Sequence, residues 1–260
     1  MRDTKVDMLH GPLAGKLFWF ALPIAASSML QQLFNAADTA VVGKFADAAA
    51  LAAVGTNGEI VAFIVSLSAG LAVGTNVLLG MCIGKGEKKD IQGVIQTAMV
   101  LALAVGLVGL LLGQVVARPI LVLFGASDAG LVYAYPYLMI YLLGTFPSMA
   151  ATGMNPFINA QGYATTGMTS VIIGAVANLL LDPLFIFVFG LGIKGAAIAT
   201  IISQTLSAAF VLYFLHYKAE YRIRFLSKSE LAACGEDAKN IVSLGTAGFI
   251  MQLTNSLVTI

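Results

Sequence analysis

The stretch that decides the fold is residues 17–43, LFWFALPIAASSMLQQLFNAADTAVVG, which lies between Lys16 and Lys44 and contains one charged residue, Asp38. At ~1.5 Å per residue, a helix of this length crosses the ~30 Å hydrocarbon core of a bilayer. A lone carboxylate inside a membrane helix costs roughly 2.5–3.5 kcal/mol on insertion scales, and such residues mark ion or substrate pathways. The stretch therefore predicts a membrane helix with a functional charge.

The composition of the whole chain also indicates a membrane protein. Of its 260 residues, 59% are hydrophobic and only 10% are charged, and the mean hydropathy is +0.91. These values lie outside the range of soluble domains. The net charge of +1 and the lack of a basic helix argue against a nucleic-acid partner. We expect the two cysteines, Cys82 and Cys234, to be reduced thiols without a special role.

Long stretches with few or no charges recur along the chain and predict an all-α polytopic membrane protein. Strands of a membrane barrel are only ~10 residues long and alternate in polarity, which these stretches do not. We expect six helices and the start of a seventh near residue 240, the six lying at 17–43, 50–83, 92–117, 129–160, 167–190 and 195–217.

The basic residues predict how these helices are oriented. If the N-terminus is cytoplasmic, every Lys and Arg except Lys44, Arg118 and Lys194 falls on the cytoplasmic side. An excess of basic residues in cytoplasmic loops is the usual pattern of membrane proteins. We therefore expect a multi-pass protein of the cell (cytoplasmic) membrane with its N-terminus inside.

The chain divides into three parts. We expect residues 1–217 to form a six-helix lobe, residues 218–239 an amphipathic cytoplasmic linker, and residues 240–260 the start of a second lobe. A plain solvated loop is the alternative for the linker. QLFNAADT at 32–39 matches QLTNSLVT at 252–259 in four of eight positions. Because six crossings preserve direction, this match favours a parallel repeat, with chance as the alternative, and the chain is expected to be a fragment of a longer transporter.

A second acid lies inside the predicted membrane region. Asp182 is the only charged residue between Asp128 and Lys194, and Asn178 precedes it by one helical turn, on the same face. Pro183 has no N–H, which leaves a backbone carbonyl one turn earlier without its helical donor. Carboxylate, amide and carbonyl oxygens suit a small hard cation such as Na⁺, or a proton relay. A structural hydrogen-bond acceptor beside a proline is the alternative.

Further polar residues accompany the two acids. Counting residues along each helix places Asp38, Asp182, Thr200 and Tyr137 together in the outer half of the bilayer. Gln31, Asn35 and Asp38 form one polar stripe on the first helix; Thr200, Gln204 and Ser207 form another on the sixth; Asn155 and Asn159 line the inner part of the fourth. Such stripes face a bundle interior or an aqueous cavity rather than lipid.

Two runs of sequence resemble a known family. The runs LFWFALPIAASSMLQQLFNAADTAVVGKF (17–45) and ANLLLDPLFIFVFGLGIKGAAIATIISQ (177–204) are similar to helices of the multidrug and toxic compound extrusion (MATE) family. The resemblance covers essentially the whole chain. It implies a twelve-helix transporter of two six-helix lobes, of which this chain holds the first lobe and the start of the second. The missing second lobe would then be a necessary partner.

The resemblance also implies a function and a set of site residues. Family members export drugs and organic cations in exchange for Na⁺ or H⁺, with no enzymatic activity and no cofactor besides the coupling ion. The network that binds this ion carries over to Asp38, Asn178, Asp182 and Thr200, with Tyr137 close by. The substrate cavity carries over to Gln31 and Asn155, and the stripe adds Asn35. Pro23 and Pro183 are candidate helix bends, and lipid is the surrounding partner.

The sequence leaves three other functions open. A flippase of lipid-linked precursors or polysaccharides in the same superfamily is the main alternative, although no Lys or Arg lies inside a predicted span to bind an anionic headgroup. An intramembrane aspartyl protease would use two acids, but it leaves Asn178, Thr200 and the repeat unexplained. A non-catalytic helical scaffold gives no reason for two isolated acids.

Overall fold

The computed structural model describes residue 6 and residues 13–45, 48–86, 88–123, 128–223 and 228–259. Within these ranges the chain is helical and contains no strand. The helices are α1 Leu13–Phe45, α2 Ala48–Lys85, α3 Lys88–Leu123, α4 Asp128–Leu143, α5 Thr145–Ala160, α6 Ala164–Pro183, α7 Ile193–Tyr217 and α8 Lys228–Thr259, with a π-helical turn at Leu184–Val188.

The predicted fold class is confirmed, because most of these helices have the length and composition of membrane spans. Among the described residues, five segments are long and apolar enough to cross a bilayer: Ala14–Phe34, Ser68–Lys85, Ile91–Leu123, Ala164–Val188 and Ile193–Tyr217. Many large apolar side chains on these helices are exposed, as expected for surfaces that face lipid.

The single helix predicted at 129–160 is interrupted at Gly144. The Gly144 N–H donates to the Tyr141 carbonyl oxygen at 2.9 Å, three residues earlier, which makes a tight turn between α4 and α5. A Cβ at Gly144 would lie 2.5 Å from Cγ1 of Ile201 on α7. Glycine at this position therefore allows α7 to approach the α4–α5 turn, a tertiary contact that hydropathy does not report.

The helix predicted at 167–190 also changes geometry along its length. Its regular part ends at Pro183, and the next five residues form the π-helical turn, closed by a hydrogen bond of 3.0 Å from Phe189 N–H to the Leu184 carbonyl oxygen. Because proline cannot donate to the preceding turn, the backbone after it adopts a wider spacing. Helix α8 likewise starts at Lys228 rather than near residue 240, so the second half of the predicted linker is helical.

The helices pack so that α6 and α7 lie at the centre of the polar region. Helix α1 lies mainly against α6, and α7 contacts α4, α5 and α6. Helix α2 packs on α3, α4, α5 and α8. At the α2–α8 crossing a Cβ on Gly74 would collide with the Ile241 carbonyl oxygen, so the two backbones touch. Close crossings through small residues are typical of membrane helices, because packing rather than water exclusion drives their association.

Hydrogen bonds join distant chain segments at the end of the bundle that contains the turn between α5 and α6, residues 161–163. This end is called the α5–α6 end. The Val6 N–H donates to the Gly162 carbonyl oxygen at 3.0 Å. The Gln92 side chain donates to the Arg222 carbonyl oxygen at 3.1 Å. The distribution of basic residues predicts that this end is cytoplasmic.

Candidate functional site

Asp182, Asn178 and Thr200 form a hydrogen-bonded group between α6 and α7. Asp182 is 1% exposed. The Asn178 side-chain nitrogen donates to Oδ1 of Asp182 at 3.2 Å and to Oγ1 of Thr200 at 3.5 Å. The Thr200 hydroxyl donates in turn to the Ala196 carbonyl oxygen at 3.0 Å, which leaves its oxygen to accept from Asn178. The structure therefore joins three of the predicted site residues.

Local sequence explains why these three side chains meet. The four-residue spacing of Asn178 and Asp182 aligns them on α6. A Cβ on Gly195 would lie 2.8 Å from the backbone carbonyl carbon and oxygen of Phe185, so glycine lets the first turn of α7 lie against the π-helical turn. This close approach places Thr200 beside Asn178.

Tyr137 contributes a third helix to the same neighbourhood. Its side chain is 7% exposed and packs with Ile193, Ala196 and Ala197 of α7. Its ring stacks on Tyr141 with 6.2 Å between centroids. Tyr137 thus lies beside Ala196, the residue whose carbonyl accepts the Thr200 hydrogen bond.

Of the polar stripe predicted on the first helix, only the Gln31 side chain belongs to the described part of the structure. The side chains of Asp38 and Asn35 lie outside the described part of the structure, so their roles stay predictions. Gln31 is exposed on α1. The backbone of α1 is helical past Asp38, and α1 packs on α6, the helix that carries Asp182.

Asn155 is hydrogen-bonded to α6. Its side-chain nitrogen donates to Oγ of Ser170 at 3.4 Å. Among the described contacts none joins Asn155 to Gln31, so their shared assignment to a substrate cavity also stays a prediction.

The two candidate bend prolines differ in their surroundings. Pro23 lies inside the continuous helix α1, where its carbonyl oxygen accepts a 2.7 Å hydrogen bond from the Ser27 hydroxyl. Pro183 lies at the junction between regular and π-helical backbone. Of the two, Pro183 is the one at which the helix geometry changes.

Ser170 is a residue of the polar region that sequence reasoning missed. It is fully buried, and its backbone carbonyl oxygen accepts a 2.9 Å hydrogen bond from the Ser207 hydroxyl of α7. The signal was present as small or polar residues every four positions, at 170, 174, 178 and 182. A serine in an apolar helix carries little weight without knowledge of what packs against it.

The site is chemically suited to a small cation or a proton. Among the described residues, no group of three or more His, Cys, Asp or Glu side chains is arranged to hold a metal ion. A cation here would have one carboxylate and the neutral oxygens of Asn178 and Thr200 as ligands, a set that fits Na⁺ better than a transition metal.

The fold and this buried group define a multi-pass helical membrane protein with a carboxylate held between two packed spans. Residues 23–184 match the profile of the MatE family, so the chain belongs to that family. It is 28% identical over 233 residues to the probable multidrug resistance protein YpnP of Bacillus subtilis, covering 87% of this chain and 52% of that protein. It is 29% identical over 227 residues to the FAD transporter of Shewanella oneidensis, covering 84% and 49%.

A solved structure shows the same similarity. The outward-facing conformation of a multidrug resistance MATE family transporter of the MOP superfamily aligns with a TM-score of 0.89 at 27% identity, covering 100% of this chain and 57% of that one. The chain thus spans about half the length of the relatives it matches.

Proposed function

We propose that this chain is part of a cation-coupled antiporter that exports drugs or organic cations across the cytoplasmic membrane. The observation that carries the proposal is the buried Asp182 carboxylate, hydrogen-bonded to Asn178 and through it to Thr200. A carboxylate kept inside membrane helices is costly, and ion coupling is the usual reason for it. The family and the multidrug resistance name of the B. subtilis relative support the transport class.

The coupling step follows from charge neutralisation. Na⁺ or H⁺ binding at Asp182, with Asp38 as the proposed second acid, removes a buried negative charge. Coupling requires that the ion and the substrate favour different conformations or compete for one. Helix α1 lies against α6, so the two acids are carried by neighbouring helices. Bending at Pro183 or Pro23 is the proposed structural response.

The proposal is tested with the transporter that contains this chain, reconstituted in proteoliposomes. Na⁺ and pH gradients are imposed separately, and efflux of a cationic dye is compared with transport of FAD, since one relative is named an FAD transporter, and of a fluorescent lipid-linked sugar. Asp182→Asn should abolish gradient-driven efflux of the dye. Asp128→Asn makes the same substitution at an exposed carboxylate in the first turn of α4 and should leave efflux near the parent rate.

Other results of the proteoliposome experiment would contradict the proposal, favour the flippase alternative or identify the coupling ion. Undiminished gradient-driven efflux by Asp182→Asn contradicts coupling at this carboxylate. Transport of the lipid-linked sugar without the dye favours the flippase alternative. Exchange that follows only one of the two gradients identifies the coupling ion.

A further inference from the structure

Aromatic and basic side chains form an exposed row at the C-terminal end of α7, where the span Ile193–Tyr217 ends. The Tyr213 and Tyr217 rings lie 5.2 Å apart between centroids, and the His216 ring lies 4.6 Å from that of Tyr217. The Lys218 ammonium lies 5.9 Å from the centroid of the Tyr213 ring. These four residues are called the α7 interface cluster.

The cluster lies at the boundary between hydrocarbon and water. The span ends at Tyr217, and Tyr213 lies one turn earlier, ~6 Å deeper along the helix. The two side chains are 52% (Tyr213) and 61% (Tyr217) exposed, so both rings face the surroundings. Tyrosine is enriched at this boundary because its ring is apolar and its hydroxyl reaches the polar layer. The cluster belongs to the α5–α6 end, since Phe214 contacts Tyr163 with 5.2 Å between ring centroids.

The Lys218 side chain is folded back toward the membrane. Lys218 is the first residue after α7, yet its ammonium lies over a ring five residues earlier in the chain. A lysine ammonium is strongly hydrated and ordinarily extends toward water, and attraction to an exposed ring is modest. Among the described residues, no carboxylate pairs with this ammonium. A positive charge held at this depth therefore calls for an anion from the surroundings.

The neighbouring backbone and charges favour an anion. The last carbonyl groups of a helix carry partial negative charge, but here they are hydrogen-bonded within the chain. The Phe214 carbonyl oxygen accepts from the N–H groups of Lys218 and Ala219 at 2.8 and 2.9 Å, and that of Leu215 accepts from the Ile223 N–H at 3.3 Å. Residues 216–224 contain three basic residues and one acid: Lys218, Arg222, Arg224 and Glu220. The surface at this end of α7 is therefore electropositive.

A phospholipid headgroup is the anion that a membrane offers at this depth, because headgroups occupy roughly 5–8 Å beyond each face of the hydrocarbon core. The phosphate of a zwitterionic lipid is offset by the lipid's own cation, whereas an anionic lipid presents a net negative charge to nearby lysines. We propose that the α7 interface cluster binds the headgroup of an anionic phospholipid, with the Lys218 ammonium on the phosphate and the Tyr213 and Tyr217 rings against the glycerol and the upper acyl chain. This lipid site does not depend on ion coupling at Asp182.

The lipid site is tested by quenching of tryptophan fluorescence with brominated lipids. In the transporter that contains this chain, the native tryptophans, Trp19 among them, are replaced by phenylalanine, and Tyr217→Trp places a reporter in the cluster. Leu111→Trp, at a position of α3 that is 59% exposed, is the control reporter. Each protein is reconstituted with brominated phosphatidylglycerol or brominated phosphatidylcholine. The quenching gives the binding constant of phosphatidylglycerol relative to phosphatidylcholine at each reporter.

At Tyr217→Trp, phosphatidylglycerol should be preferred about fivefold, the effect of one basic residue close to the surface, whereas Leu111→Trp should show no preference. Adding Lys218→Gln should abolish the preference at Tyr217→Trp. Lys194→Gln, which removes an exposed lysine at the other end of α7, should leave it unchanged.

Equal constants at the two reporters, or a preference that Lys218→Gln does not lower, would overturn the lipid site. Lys218→Arg keeps the charge and should retain the preference. Tyr213→Trp serves as the reporter if the Tyr217→Trp variant does not fold. Because the measurement needs no transport, it is independent of the efflux test of Asp182→Asn.

Discussion

Gln161 and Tyr221 are joined by two reciprocal hydrogen bonds: the Gln161 side-chain nitrogen donates to the Tyr221 carbonyl oxygen at 3.1 Å, and the Tyr221 N–H donates to Oε1 of Gln161 at 2.9 Å. Gln161 is 3% exposed at the turn between α5 and α6. The buried side-chain amide of Gln161 thus satisfies both the backbone N–H and the backbone C=O of Tyr221, which lies in the segment that follows α7. This contact holds the connection to α8 against the α5–α6 end.

Replacing Gln161 should release this connection. Gln161→Leu removes both hydrogen bonds at similar side-chain volume, at a cost of about 1–2 kcal/mol, which corresponds to a roughly 5–30-fold rise in local opening. Limited trypsin digestion at Lys218 and Arg222 in inside-out vesicles should accelerate by that factor. Gln114→Leu removes an amide that donates to the Met139 carbonyl oxygen at 3.0 Å elsewhere in the bundle and is the control. An unchanged digestion rate for Gln161→Leu would show that the pair does not restrain the segment.

The α2–α8 crossing should tolerate no side chain at Gly74. Gly74→Ala forces a Cβ against the Ile241 carbonyl oxygen, and overpacking of this kind costs about 1–3 kcal/mol. The expected result is a lower thermal unfolding temperature in detergent, measured by fluorescence-detected gel filtration. Gly80→Ala on the same helix meets no atom within 4 Å and should be neutral or slightly stabilising, because alanine favours helix. Equal unfolding temperatures for the two variants would argue against a close crossing.

Removing the Thr200 hydroxyl should reduce ion-driven exchange, whereas removing the hydroxyl of Thr205 should not. Thr200→Val removes the oxygen that accepts from Asn178 and keeps the side-chain shape. Loss of one such hydrogen bond costs about 0.5–1.5 kcal/mol, so ion-driven exchange at subsaturating ion should fall by roughly 2–10-fold. Thr205→Val is the matched control, since that exposed hydroxyl also bonds a carbonyl one turn earlier, Ile201, at 2.7 Å. Identical exchange rates for both variants would remove Thr200 from the proposed site.

Gly195 should influence the site without belonging to it. Gly195→Ala places a Cβ 2.8 Å from the Phe185 carbonyl group, so the start of α7 has to move away from the π-helical turn. We expect reduced exchange with normal membrane insertion, because Thr200 shifts away from Asn178. Gly109→Ala on α3, where nothing lies within 4 Å of the added Cβ, should exchange at the parent rate. Full activity in Gly195→Ala would show that this close approach does not position the site.

Much of the architecture was predictable because membrane helices are encoded locally. Apolar length set the spans, and the four-residue spacing aligned Asn178 with Asp182 before any tertiary contact was known. The interruption at Gly144 and the start of α8 at Lys228 were not predicted, since the first depends on the approach of Ile201 and the second on helix-forming polar residues with weak hydropathy. The involvement of Asp38 remains a prediction.

The sequence by itself determined that the chain crosses a membrane several times and that Asp38 and Asp182 lie in long apolar stretches. The reason is that hydropathy and helical periodicity act over neighbouring residues. Only the tertiary structure decided that Thr200 meets Asn178, that Tyr137 packs beside Ala196, and that Ser170 and Ser207 extend the polar contact. Which faces of separate helices meet depends on close approaches at residues such as Gly174 and Gly195, and those contacts join positions far apart in the chain.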